Sequence, residues 1–259
     1  MKSFLCLALL LVFLPAPFSV LPYLNKAAPE STQTSVVSLM APFSTVQRVV
    51  IDAGHGGRDF GAISPWGIRE KDLVLEAAKA LRDELKSHGV GVIMTRNRDR
   101  FIPLSRRARI ANKREADLFV SIHANASSSE TLGGFEIYTL SDVRSALARG
   151  NEPSNSLEAA LWDLKETEKR KEAFRVAGFI QDSVEGSVPL SANRLRRAGF
   201  YVLKQTECPA VLIEIGYLTN RENAAQLGDS EYKKQLVQAI VEGILNYKSD
   251  FERTDGFAE

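Results

Sequence analysis

The chain has 259 residues, 44% of them hydrophobic and 25% charged, with 33 basic against 32 acidic side chains. That length suits one large domain or two small ones, and a formal net charge of +1 gives no electrostatic reason to expect nucleic acid or an acidic membrane as the main partner. Of the two cysteines, Cys6 lies in an N-terminal apolar stretch, and a processed chain keeps Cys208 alone; this excludes an internal disulfide and a cysteine-rich zinc site, so any metal must be held by histidines and carboxylates.

Lys2 and the apolar run Phe4 to Leu14 read as an export signal over residues 1–24. Pro15, Pro17 and Pro22 interrupt the run and no small-x-small cleavage site follows, so retention as an inner-membrane anchor is the alternative. Either way the folded part is expected outside the cytoplasmic membrane, in the periplasm or cell envelope, touching membrane only through this segment. Residues 25–44 are polar, proline-bearing and aperiodic, a linker. A domain is expected over 45–250, with a frayed tail at 251–259.

Within that domain Val46–Ile51 is the first expected strand, ending at a glycine-rich turn that carries His55. Arg69 to His88 repeats apolar residues at Leu73, Ala77, Leu81 and Leu85, the spacing of an amphipathic helix, and Gly89 stops it. Strands follow at Val90–Thr95, Asp117–His123 and Gly134–Leu140, with an arginine-rich helix from Pro103 to about Glu115 between the first two. A long helix over Leu157 to about Val184 precedes the last two expected strands, Gly199–Leu203 and Ala210–Ile215; Asn220 and Ser230 then cap two closing helices. This alternation predicts an α/β fold: a single domain with a largely parallel mixed sheet of about six strands flanked by helices.

Potential chemistry gathers at strand ends, where open α/β sheets place ligands. His55 follows the first strand, His123 ends the third, and Glu70 opens the first helix. Each taken singly is ordinary: a polar strand end, or an acid favoured by a helix dipole. The turn GHGG also invites a phosphate-cradling reading. Glu214 is different, because four apolar residues precede it and Ile215 follows; burying such a carboxylate is costly unless it is paired or faces a cation. Two imidazoles with a carboxylate form the ligand set of many catalytic zinc sites that keep a position open for water, whereas an all-oxygen site would suit calcium or magnesium.

DAGHGGRDFGA, then Glu70, RARIANKREADLFVSIHAN and PAVLIEIGYLTN together resemble the zinc-dependent N-acetylmuramoyl-L-alanine amidases of the bacterial cell wall, the amidase-3 class, across residues 46–248. The resemblance implies that His55, Glu70 and His123 hold one Zn2+ ion and that Glu214 is the catalytic carboxylate. It also implies that Arg107 and Asn112 match family positions, as substrate contacts or as supports of their helix. The implied substrate is peptidoglycan or a lipid-linked muropeptide, used in wall remodelling and daughter-cell separation, with an activator protein as a further partner. Some relatives carry an inserted helical segment that blocks the site. The corresponding region here is short, so little autoinhibition is expected, although SLEAALWDLK at 156–165 has apolar side chains that need a surface to pack on.

Two other readings compete with this one. Ser230-Glu-Tyr-Lys233, Ser191-Ala-Asn193 and Lys204-Gln-Thr206 have the shapes of serine penicillin-binding motifs, which would make Ser230 and Lys233 a second, D,D-carboxypeptidase-type site. Their order along the chain is wrong for that class. The non-enzyme alternative is a peptidoglycan-binding protein, which would have no need for a buried carboxylate at Glu214.

Overall fold

The structure, a computed structural model, describes residues 45–141, 156–188 and 193–254. Six strands, β1 (Arg48–Ala53), β2 (Gly91–Met94), β3 (Leu118–Asn125), β4 (Phe135–Leu140), β5 (Asn193–Ala198) and β6 (Ala210–Tyr217), form one sheet in the order β2-β1-β3-β6-β4-β5. β2, β1, β3 and β6 are mutually parallel; β4 runs antiparallel to β6, and β5 parallel to β4. The fold is therefore the expected α/β domain with a mostly parallel mixed sheet.

Parallel strands covered on both faces read as continuous apolar runs, and β1, β3 and β6 do so. Alternation then sorts their side chains. Val49, Ile51, Leu118, Val120, Ile122, Val211 and Ile213 join one buried cluster with the helices α1 (Glu70–Ser87), α3 (Ser156–Ser187) and α6 (Ser230–Arg253). Val50, Phe119 and Leu212 point the other way, into a smaller cluster with α2 (Leu104–Lys113) and the short α4 (Tyr201–Gln205). The eight-residue α5 (Arg221–Gly228) links β6 to α6 and is capped by Asn220, whose side chain accepts from Asn223 N. The result is a three-layer sandwich with the carboxyl ends of β1, β3 and β6 at one edge.

Three local expectations need correction. Gly199-Phe-Tyr-Val-Leu203 is not a strand: Tyr201–Gln205 is a helical turn that buries the adjacent Val202 and Leu203 and leaves Phe200 and Tyr201 more than a third exposed. The sixth strand is instead Asn193–Ala198, NRLRRA, at the sheet edge. The cap of α6 is Asp229, whose carboxylate accepts from Tyr232 N at 2.7 Å, rather than Ser230. Nor does order end at Asp250, since α6 continues to Arg253 and Phe251 is buried. In α3, Trp162 packs against the smaller cluster while Leu157 and Leu164 stay exposed. The export signal, the linker, residues 142–155 and Ser191 lie outside the described residues.

Candidate metal centre

The turn after β1 is built from buried polar side chains. Ala53 O accepts from both Arg96 Nε at 2.9 Å and Arg107 Nη1 at 2.6 Å; Arg96 also donates to Gly54 O, and Arg107 to His55 O. Arg107 is balanced by Asp52 at 2.8 Å, which in turn accepts from Thr95 Oγ1 and Ser121 Oγ. Two guanidinium forks thus grip three consecutive carbonyls, a geometry suited to arginine. They hold His55 at φ 58°, a left-handed conformation that a non-glycine residue adopts only when its surroundings impose it.

That conformation aims the imidazole at Glu70. His55 Nδ1 lies 2.8 Å from Asp59 Oδ1, which turns Nε2 towards Glu70 Oε1 at 3.0 Å. His123, one strand away on β3, brings Nδ1 to 3.0 Å from the same Glu70 oxygen. Its ring lies so close to the β1 turn that a Cβ at Gly54 would sit 2.3 Å from His123 Cε1, so only glycine fits there. Glu70, at the first position of α1, is fixed by two further bonds, from Ala62 N to Oε2 and from Ala124 N to Oε1.

One ligand atom from each of His55, Glu70 and His123 lies within 4.8 Å of the other two. Burial works against ionisation of Glu70, but hydrogen bonds to His123 and His55 outweigh it and hold its carboxyl well below the usual range. Burial likewise opposes protonation of His55, yet Glu70 and Asp59 raise its pKa overall. The donor set, two imidazoles and one ionised carboxylate, fits zinc. The hydrogen bond from His55 Nδ1 to Asp59 is of the kind that fixes the tautomer of a metal-binding histidine.

Glu214 stands next in line. On β6 it pairs in register with His123 of β3 on one side and with Glu136 of β4 on the other, which puts the three side chains on the same face. Glu214 is 8% exposed, and its Oε2 has no hydrogen-bond partner among the described residues. Burial, then the charges of Glu70 and Glu136, push its pKa well above the ordinary value. Such an orphaned acid beside three convergent ligands is the arrangement a cation at the cluster would satisfy. Glu136 is itself compensated, by Arg196 at 3.0 Å and by the Tyr138 hydroxyl at 2.7 Å.

The structure thus brings together His55, Glu70, His123 and Glu214, and leaves four other sequence candidates elsewhere. Arg107 is 2% exposed with its guanidinium spent on Asp52 and the carbonyls of the turn, so it supports His55 from behind and does not face a substrate. Asn112 lies at the opposite, amino-terminal edge of β3 and β6, where it bonds Gln205 O and Glu207 N and ties α2 to the end of α4. Ser230 and Lys233 lie on α6, and the Lys233 ammonium is engaged by Glu76 of α1 at 2.7 Å. Lys204, the third element of the serine pattern, sits on α4 across the sheet, so these residues form no common site. Asp52, Asp59, Arg96 and Glu136 escaped the sequence reading. Only Asp59 carried a local signal, four residues after His55 in DAGHGGRD.

Comparison with known proteins agrees with this geometry. Residues 49–246 match the Amidase_3 family, described as N-acetylmuramoyl-L-alanine amidase. The chain is 34% identical over 217 residues to the N-acetylmuramoyl-L-alanine amidase AmiA of Escherichia coli, covering 77% of this chain and 75% of that protein. Among solved structures, the amidase AmiC2 of Nostoc punctiforme superposes with a TM-score of 0.65 at 32% identity, over 79% of this chain and 98% of that one. The CwlD amidase of Clostridioides difficile, solved in complex with the GerS lipoprotein, does so with a TM-score of 0.62 at 27% identity, over 79% and 99%. The chain belongs to the Amidase_3 family of N-acetylmuramoyl-L-alanine amidases.

Proposed function

We propose that this chain is a zinc-dependent hydrolase that cleaves the amide between the lactyl group of N-acetylmuramic acid and L-alanine of the peptidoglycan stem peptide. The observation that carries the reading is Glu214, a buried carboxyl with an unpartnered oxygen, in register beside His123. His55 Nε2, Glu70 Oε1 and His123 Nδ1 are the atoms that would hold the ion. Bound zinc supplies Lewis acidity, polarising a carbonyl and acidifying water near it. Glu214 takes the proton of the attacking water as the new C–O bond forms, then returns it to the leaving amine as the C–N bond breaks. Asp59 keeps the His55 ring in one orientation, and Arg96 and Arg107 keep the turn from moving.

Export rests on the apolar segment at residues 1–24, and any membrane attachment would run through it; among the described residues no helix is long and apolar enough to cross a membrane. Wall remodelling during daughter-cell separation is the role we assign. A protein partner is consistent with the solved CwlD–GerS pair. The test is digestion of peptidoglycan fragments and of lipid-linked muropeptide, with and without chelator, read by mass spectrometry. Chelator-sensitive release of stem peptide beginning at L-alanine is expected. Released D-alanine would point to a carboxypeptidase, and intact substrate to a binding protein.

A further inference from the structure

The near-neutral chain hides a strongly polarised face. Residues 96–115 carry eight basic and two acidic side chains. Two of the basic groups, Arg96 and Arg107, turn inward to hold the His55 turn. The others are exposed, and those of α2 follow helical spacing: Arg106, Arg109 and Lys113 lie on one side, spread over about 10 Å of helix axis. With Arg100 and Arg114 they line an open groove of about 530 Å³ between α2 and the carboxyl end of β2.

Three features mark this groove as a recognition surface rather than an ordinary solvated helix face. No acidic side chain lines it. None of its five cations makes an ion pair with any described residue; Arg100 donates only to Thr95 O. Of the two acids adjacent to the groove in sequence, Asp99 is committed to Lys71 at 2.8 Å and Glu115 lines a different pocket, beside Asn112 and Asp117. Several unneutralised cations in one concavity focus a positive potential and raise the local concentration of anions. The groove also adjoins the metal-ligand turn, because the Arg100 carbonyl lies against Gly56.

We infer that this groove binds a linear phosphodiester polymer without bases, of the poly(glycerol phosphate) type. Guanidinium forks suit phosphate oxygens, and a row of cations along a helix suits a row of anions better than a single one. The concave lining, with Ile93, Met94 and Ile110 between the charges, does not present the flat surface that a lipid bilayer would need. It also holds no aromatic side chain, and stacking on aromatics is what single-stranded nucleic acid binding requires. The groove would keep the enzyme on an anionic envelope polymer while the neighbouring cleft works on its own substrate.

The test measures binding of fluorescent oligo(glycerol phosphate) to the full chain over a salt series, so its outcome is separate from any amidase activity. The triple variant Arg106→Gln/Arg109→Gln/Lys113→Gln is compared with a control of equal net charge, Lys86→Gln/Lys171→Gln/Lys234→Gln. The groove variant should lose at least tenfold in affinity and lower the slope of log affinity against log salt by about 2, at roughly 0.7 per cation removed. The control should bind as the native chain does, and circular dichroism and metal content should match in all three. Equal losses in both variants, or no binding by the native chain, overturn the assignment. So would oligothymidylate of equal phosphate number binding more tightly, or groove-dependent binding to phosphatidylglycerol vesicles without binding of the polymer.

Discussion

Replacing Glu214 by glutamine removes one titrating group from a pocket already occupied by Glu70 and Glu136, while preserving shape. In the folded chain burial, and then those two carboxylates, raise the Glu214 pKa well above its ordinary 4.5. The sign of the linkage follows. In acid both folded and unfolded chains keep the proton, and burial of the carboxyl carries no charge penalty. As pH rises through 4.5, the unfolded chain releases its proton while the folded one retains it, so stability falls until the folded pKa is passed. Each pH unit in that window costs about 1.4 kcal/mol, which sets a ceiling of about 3 kcal/mol between pH 5 and 7. Glutamine does not titrate. Metal-free Glu214→Gln should therefore match the parent chain near pH 4.5 and become about 1–3 kcal/mol more stable than it by pH 7. His55 and Glu70 are present in both proteins, so the difference reports position 214 together with its coupling to Glu70. Urea unfolding in chelator at several pH values measures it. The same variant should retain metal and lose about 10²–10⁴ in turnover. Parallel stability curves across the pH series, or normal turnover, would refute the reasoning.

Three further perturbations probe the scaffold of the site. Arg107→Ala leaves Asp52 as an uncompensated buried charge and should cost about 3–5 kcal/mol in urea unfolding. A loss below 1 kcal/mol would mean the turn is held by Arg96 alone. Asp59→Ala frees the His55 ring and should weaken zinc about 10–100-fold, read by competition with a chromophoric chelator, with little change in unfolding midpoint because Asp59 is 42% exposed. Gly54→Ala puts a methyl group 2.3 Å from His123 Cε1. It should lower metal affinity at least tenfold while circular dichroism stays native; unchanged affinity would show that the imidazole can move aside.

Much of this architecture was legible from local pattern. The apolar runs of β1, β3 and β6 and the stripe of α1 announce themselves, since burial on both faces or on one stripe leaves a clear imprint. β5 did not, because Arg194, Arg196 and Arg197 conceal its alternation, as charged residues on edge strands do. Gly199–Leu203 misled for the converse reason: its aromatic and β-branched residues have strand propensity, but tertiary contacts to α2 settle them as a turn of helix. His55, Glu70, His123 and Glu214 could be named from motif and resemblance. Asp52, Arg96 and Glu136 could not, because each acquires meaning chiefly through partners distant in sequence, such as Thr95 for Asp52, Ala53 for Arg96 and Arg196 for Glu136.

The pairing of β3 with β6 shifts register immediately after one row of the candidate site: His123 faces Glu214, but Asn125 faces Tyr217. One extra residue on β6 is accommodated at Ile215 and Gly216, a bulge that ends strict alternation there. Without such a joint, a slip of one residue would carry Glu214 to the opposite face of the sheet, among the side chains of the larger core. The bulge thus insulates the position of Glu214 from length variation downstream. The turn beyond the joint is pinned in its own right, with Leu218 N donating to Asn125 O, Thr219 Oγ1 accepting from Ser127 N and Asn220 Nδ2 donating to Glu130 O, so the two strands are tied again immediately past the bulge.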